Sequence, residues 1–405
     1  MLKKEYFVVT SLAAAGVLVF LLLPQFTWAE DAFKVLHAFT WANGPEGVLA
    51  RDADGNLYGT TVTSKVGEGT VWKLTPHSDG TWTTAILHVF SDRTGGELPW
   101  GGVILDRVGN LYGTTEGGGG SSGSGVVFKL SYTSSGWHET VLHRFNGNDG
   151  AAPIGPLTLD TAGNLYGTTS EGGSGACGCG VAFRLAPNSD GTWRETVLHT
   201  FIGGADGGNI VAGLTLDAVG NLYGATNDGG AGCFSFGCGL IFKLSLDVTG
   251  KWTYSVLHRF TGPDGENPVA GLTFDAAGNL YGTAFGGSSF GNGVVFKLAP
   301  NSDGTWSETV LHSFHGRPDG AYPFVGVTFD PHGDLYGTTN IGGTGGGIVY
   351  KLTPTSTGWA ECLVHSFESN GFSPLTPILI DPRGHLYGTT NAGRNGNGFV
   401  FEITP

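Results

Sequence analysis

Beyond about residue 30, short apolar runs alternate with clusters of glycine, asparagine and aspartate, and no stretch between them keeps a 3.6-residue helical period. Residues 156–201 show the pattern well. PLTLD (156–160), NLYGTT (164–169), VAFRL (181–185) and TWRETVLHTF (192–201) each read as a short strand bounded by turn residues. The turns are TAGN after the first strand, a Gly-rich run after the second and APNSDG after the third. The Asp190-Gly191 pair suits a tight hairpin, because glycine tolerates positive φ. The pattern predicts four antiparallel strands, called a to d here.

The same four words recur. The tyrosine of strand b stands at Tyr58, Tyr112, Tyr166, Tyr223, Tyr281, Tyr336 and Tyr387. The histidine of strand d stands at His37, His88, His143, His199, His258, His312 and His365. The aromatic of strand c stands at Trp72, Phe128, Phe183, Phe242, Phe296, Tyr350 and Phe401. A four-stranded unit of about 50 residues is a propeller blade; solenoid repeats are shorter or helical. The repeats open on a lone strand d (33–39) and close on a strand c (398–405) with no d after it. The first strand should therefore complete the last blade, which closes the ring and removes an open sheet edge. The expected fold is all-β, a seven-bladed propeller with four antiparallel strands per blade. The blades fall at about 47–90, 101–145, 156–201, 213–260, 271–314, 326–367 and 377–403 plus 33–39, within one domain spanning 30–405.

Each recurring word has a structural reading. Alternation along strand d puts Trp193, Glu195, Val197, His199 and Phe201 on one face. The histidine is then buried, with its ring nitrogens hydrogen-bonded to a neighbouring strand, for instance to a threonine of YGTT. Outer strands of successive blades lie too far apart for these histidines to share a metal ion. The glycine of LYGTT calls for a close approach, by the next blade or by the tyrosine of its own unit. The aspartate ending strand a precedes a glycine by three residues and should cap its own turn. In the first unit DADGN (52–56) resembles a calcium loop, but its glycine comes too early for that pattern.

Composition adds an address. Residues 1–29 hold Lys3 and Lys4, an apolar run over 7–23 and Thr27-Trp28-Ala29, the layout of a secretory signal peptide cut after Ala29. The alternative is an uncleaved membrane anchor. The chain should thus be secreted, periplasmic or on the cell surface, and monomeric. A formal charge of −14 without a basic stripe argues against nucleic acid and anionic lipid as partners. Export favours disulfides among Cys177, Cys179, Cys233 and Cys238. Cys233 could pair with Cys238 inside one loop, or the two loops could be joined, or all four could hold zinc. Cys362 is left over and is expected to be buried. No cofactor is otherwise implied; the G-x-S-x-G at Gly119, Ser121 and Gly123 lies in a Gly/Ser run with no strand-to-helix elbow.

In a meander the a–b and c–d turns share one face of the disc, and the b–c loops and d–a crossovers share the other. The first face is nearly invariant and the second is variable, so binding is expected on the second. It carries Trp41, Trp100, Phe234, Phe236, Phe285 and Tyr322, together with Asn340 and Asn391 directly after YGTT. Flat rings beside amides suit the apolar faces and hydroxyl edges of sugars. A glycan or cell-surface polymer is the expected partner. Glu116, Glu171 and Asp228 occupy the neighbouring positions and would be the acid/base residues of a propeller lyase or hydrolase. A purely structural surface role is the third reading.

The composite motif GNLYGTT…GVVFKLxP…GTWxETVLHxF resembles the GloVer (Gloeo_Verruco) tandem-repeat family of bacterial exported proteins, over nearly everything after the leader. More loosely, GLTFDAAGNLYGTA (271–284) is similar to the inner strands of NHL and SMP-30-like propellers. The resemblance implies a propeller and export. It brings no established catalytic residues. Many members end in a C-terminal anchor, and none is expected after FEITP.

Overall fold

A computed structural model describes residues 32–40, 44–64, 67–91, 93–230, 233, 236–368, 371–393 and 397–404. The leader, Trp41 and Phe234 lie outside them, and of Phe372 only the backbone is described. The chain forms seven antiparallel sheets in ring order, and the helical structure among the described residues is one 3-10 turn, Gly204–Asp206. Blade 1 is Pro45–Arg51, Leu57–Thr61, Thr70–Pro76 and Trp82–Val89. Blade 3 is Thr158–Leu159, Leu165–Thr168, Val181–Pro187 and Trp193–Thr200. Blade 7 is Leu379–Ile380, Leu386–Gly393, Phe399–Thr404 and, from the other end of the chain, Ala32–Ala38. The closing strand pairs Phe33 with Ile403 and Val35 with Phe401. Blade 7 departs from four strands: Gly371–Pro374 also pairs with its strand b.

The recurring words are explained by contacts inside and between blades. Asp160 accepts from the Asn164 amide N–H at 2.8 Å, the Asn164 side-chain amide at 2.7 Å and the Tyr166 hydroxyl at 3.1 Å. Asp106, Asp217 and Asp275 repeat this set, so D-x-x-G-N-L-Y is one hydrogen-bonded turn. Asp52 of the calcium-like loop spends both oxygens the same way, on Asn56 and Tyr58.

The glycine of LYGTT sits opposite the strand c aromatic, Gly167 across from Phe183. A Cβ there would meet the Phe183 ring at 2.6 Å and Leu157 at 2.9 Å. The close approach thus comes from the partner strand's ring, neither from the next blade nor from the tyrosine. The threonines divide their labour. The first donates to a backbone carbonyl of the next blade's crossover, as Thr60 to Pro99 O and Thr168 to Ala212 O. The second holds its own loop, as Thr169 to Glu171 O.

Strand d does not alternate cleanly. Ala182 pairs with His199 and Phe183 with Val197, so Leu198 is an extra residue in the strand. This bulge flips the face: Val197 is 36% exposed and Leu198 only 9%. The simple alternation that grouped Val197 with His199 is corrected by it.

Apolar side chains gather at the seams between blades rather than within single blades. Seven buried clusters each join two neighbours. One contains Leu49 and Trp72 of blade 1 with Tyr387 and Val400 of blade 7, which is the seam that closes the ring. Each fully buried phenylalanine in these seams contributes about 1.5–3 kcal/mol by burial alone.

The seam histidines meet an acid, not the threonine of YGTT. His143, His199, His258 and His312 lie 3.0–3.2 Å from Asp149, Asp206, Asp264 and Asp319 of the following crossover. Strand d of the next blade supplies Glu195, Glu308 or Glu361, whose carboxyls burial pushes up to about 7, with the crossover aspartate adding to the rise. Burial also lowers His143, His258 and His312, against the pull of their aspartates. Where that strand lacks a glutamate, another contact serves. Tyr254 stacks on His199 at 4.1 Å, Phe33 stacks on His365 at 4.2 Å, and the Thr84 hydroxyl lies 2.9 Å from His37.

Candidate functional site

The d–a crossovers end on a repeated three-residue step before strand a. It reads Gly44-Pro45-Glu46, Leu98-Pro99-Trp100, Ala152-Pro153-Ile154, Asn209-Ile210-Val211, Asn267-Pro268-Val269, Tyr322-Pro323-Phe324 and Ser373-Pro374-Leu375. In six copies the first residue is left-handed, with φ between 52° and 62°. Asparagine accepts that conformation readily, whereas for Leu98, Ala152 and Tyr322 it costs about 1–2 kcal/mol each. Backbone bonds hold the turn: Ser170 N–H donates to Ala152 O, Asn227 to Asn209 O, Phe285 to Asn267 O and Asn340 to Tyr322 O. Strain kept in register round a ring marks a position the fold over-determines.

The third residues of all seven steps, Glu46, Trp100, Ile154, Val211, Val269, Phe324 and Leu375, line one cavity of about 400 Å³. Every blade contributes, so the cavity lies on the ring's axis, at the end bearing the b–c loops and crossovers. Its wall is apolar except for Glu46 and Glu116. The Trp100 indole N–H donates to the Glu116 carboxylate at 2.6 Å, joining two residues singled out from the sequence. Glu46 is 9% exposed, and burial pushes its carboxyl up to about 7. Burial is the cause of that rise, and no described neighbour offsets it with a hydrogen bond or a charge. Its backbone is pinned from both sides: Thr60 of blade 1 donates to Glu46 O at 3.1 Å, and Thr389 of blade 7 donates to Pro45 O at 3.0 Å.

The other predicted residues sit around this mouth or away from it. Phe285 stacks on Tyr322 at 5.0 Å and meets Phe324 edge-on at 6.0 Å, so an aromatic trio leads to the cavity between blades 5 and 6. Asn340 and Asn391 are half-buried, and Asn391 O accepts from the Gly44 N–H. Phe236 is exposed and does not line the cavity. Neither do Glu171, which is exposed, and Asp228, which is half-buried with its carboxyl raised by desolvation. Of the three predicted acids, only Glu116 reaches the cavity. Disulfides join Cys177 to Cys179 and Cys233 to Cys238, each within its own loop. Cys362 is half-buried rather than buried. Among the described residues no group of three or more His, Cys, Asp or Glu is placed to hold a metal ion.

Sequence reasoning missed Glu46 and the aliphatic part of the ring. The signal was present: aligning the X-Pro-Z steps ahead of strand a, with Ile210 replacing proline in one copy, gives one column in which six apolar residues face a single acid.

Comparisons with known proteins follow the fold. No curated protein matches the chain in sequence. A protein of unknown function from Dyadobacter fermentans DSM 18053 is 12% identical with a TM-score of 0.47, over 94% of this chain and 99% of its own. The PQQ-bound aldose sugar dehydrogenase of Streptomyces coelicolor is 14% identical with a TM-score of 0.45, over 93% of this chain and 98% of its own. Likeness at this level carries no argument about function. The Gloeobacter/Verrucomicrobia repeat, by contrast, matches residues 44–246 and 232–405. Its matched span runs from the first crossover to the final strand, and the chain belongs to the Gloeobacter/Verrucomicrobia repeat family.

Proposed function

We propose that this protein is an exported binding propeller that receives its ligand in the axial cavity. The observation that carries the reading is the ring of seven equivalent positions, six apolar and one acidic, around about 400 Å³ of space. A structural scaffold would have no reason to vary these positions while keeping the seams alike. Two loop disulfides support an oxidising compartment. The end group of a glycan or surface polymer is the ligand in this reading. Trp100 and Phe324 offer flat apolar faces, and the Glu46 and Glu116 carboxylates accept from polar edges.

The test is to fill the cavity. Val269→Trp should abolish binding on an array of glycans and polymer fragments while shifting Tm by less than about 3 °C. A wild-type chain that binds nothing, or a variant that binds equally well, would sink the reading. An enzyme reading retains one supporting observation, that Glu46 and Glu116 line the same cavity. It requires turnover that Glu116→Gln removes.

A further inference from the structure

Glu46 is the anomaly of the ring. The six equivalent positions carry side chains that can lie against an apolar wall at no cost, and Glu46 cannot. A buried carboxylate without a partner is penalised by several kcal/mol in principle, and proteins remove such groups unless something compensates them. The fold instead fixes this one in place, with Thr60 and Thr389 bonding the backbone on either side of it. Its raised carboxyl pKa, near 7, is what burial beside no counter-charge produces. Among the described residues the wall supplies no counter-charge, since it holds no lysine, arginine or histidine.

The surroundings specify the chemistry of the group that would supply it. Trp100 precedes strand a at the step next to Glu46 in ring order, and an indole face attracts a cation. That indole is held by its bond to Glu116, so a second carboxylate stands near the same side of the cavity. Across the ring, Val211, Val269 and Phe324 provide apolar surface. The whole chain carries a formal charge of −14, which draws cations toward it. We infer that the axial cavity takes an organic ammonium ion, its primary amine paired with Glu46 beside Trp100 and its apolar body laid against the aliphatic wall. An amino sugar end group and a hydrophobic amine share this chemistry. The inference rests on the axial-binding reading and sharpens it to a ligand class.

The experiment is calorimetry of the full chain at pH 8 with two isosteric probes, phenethylamine and 2-phenylethanol. The amine should bind at least about tenfold more tightly, the scale of one charge-assisted hydrogen bond. Glu46→Gln should reduce the amine to the alcohol's affinity and leave the alcohol within about twofold. Equal affinities in the wild-type chain, or a preference that survives in Glu46→Gln, overturns the ammonium inference and leaves axial binding standing. Failure of both probes to bind overturns the inference together with the axial site for ligands of this size. The wild-type comparison needs no variant to fold.

Discussion

The seams between blades and the ring at the axis obey opposite rules. At the seams the same words return: a strand c aromatic over a glycine, in five blades an Asp-Asn-Tyr turn, and a histidine facing the next blade. At the axis the seven equivalent positions hold Glu, Trp, Ile, Val, Val, Phe and Leu. Identical packing is needed wherever one blade must dock on another, because a mismatch there is felt by two sheets. At the axis these side chains face open space, so they are free to be chosen by what enters. Repetition therefore reports structure and divergence reports use.

Three experiments test that contrast, the largest effect first. Deleting Ala32–Ala38 strips strand d from blade 7 and bares the edge of Phe399–Thr404. It also removes Phe33 from its stack on His365. The variant should aggregate or melt at least about 10 °C lower in a thermal scan. An unchanged melting temperature would show that the ring does not depend on its closing strand.

Next, Phe183→Ala empties a fully buried seam position and should cost about 3–5 kcal/mol in urea unfolding. Ile154→Ala, half-buried on the cavity wall, should cost less than about 1.5 kcal/mol and act on binding instead. Equal losses at the two sites would erase the distinction between seam and axis.

The smallest effect is a pH slope. Burial and Asp264 raise Glu308 to about 7, so the folded state favours the neutral acid. That contribution is complete below the ordinary carboxylate range and is lost as pH rises through 7. The His312 beside Asp319 works in the other direction: its lowered value makes stability fall as pH drops below its usual 6.5. Glu308→Gln should therefore remove a downward contribution to Tm between about pH 4.5 and 7 and leave the slope above pH 7.5 unchanged. A wild-type slope retained in the variant would place the pH sensitivity elsewhere.

Much of this architecture could be read from the chain, because each blade states its strands in short words and the surplus strand at one end matches the deficit at the other. The partner of the seam histidine was not read, although H-x-F-x-G-x-D-G at His143, with Asp149 six residues on, and at His258, with Asp264, spells it out. The bulge at Leu198 was hidden because VLH looks like plain alternation, and only pairing to strand c shows the extra residue. The cavity was half legible. Trp100 and Glu116 stood out as deviations from the repeat, while Val211 and Val269 look like ordinary strand residues until the ring sets them side by side. Glu46 escaped because its blade begins with a longer, bulged strand, Pro45–Arg51, which blurs the alignment with the other six.

The pairing of Phe33 with Ile403 also orders events in time. The strand synthesised first finds its place only when the strand synthesised last has emerged. Until then the first six blades can assemble by neighbour contacts alone, while the faces of blades 1 and 6 that meet blade 7 stay open to water. The final clasp thus depends on both strands: a chain lacking either one keeps an unpaired sheet edge.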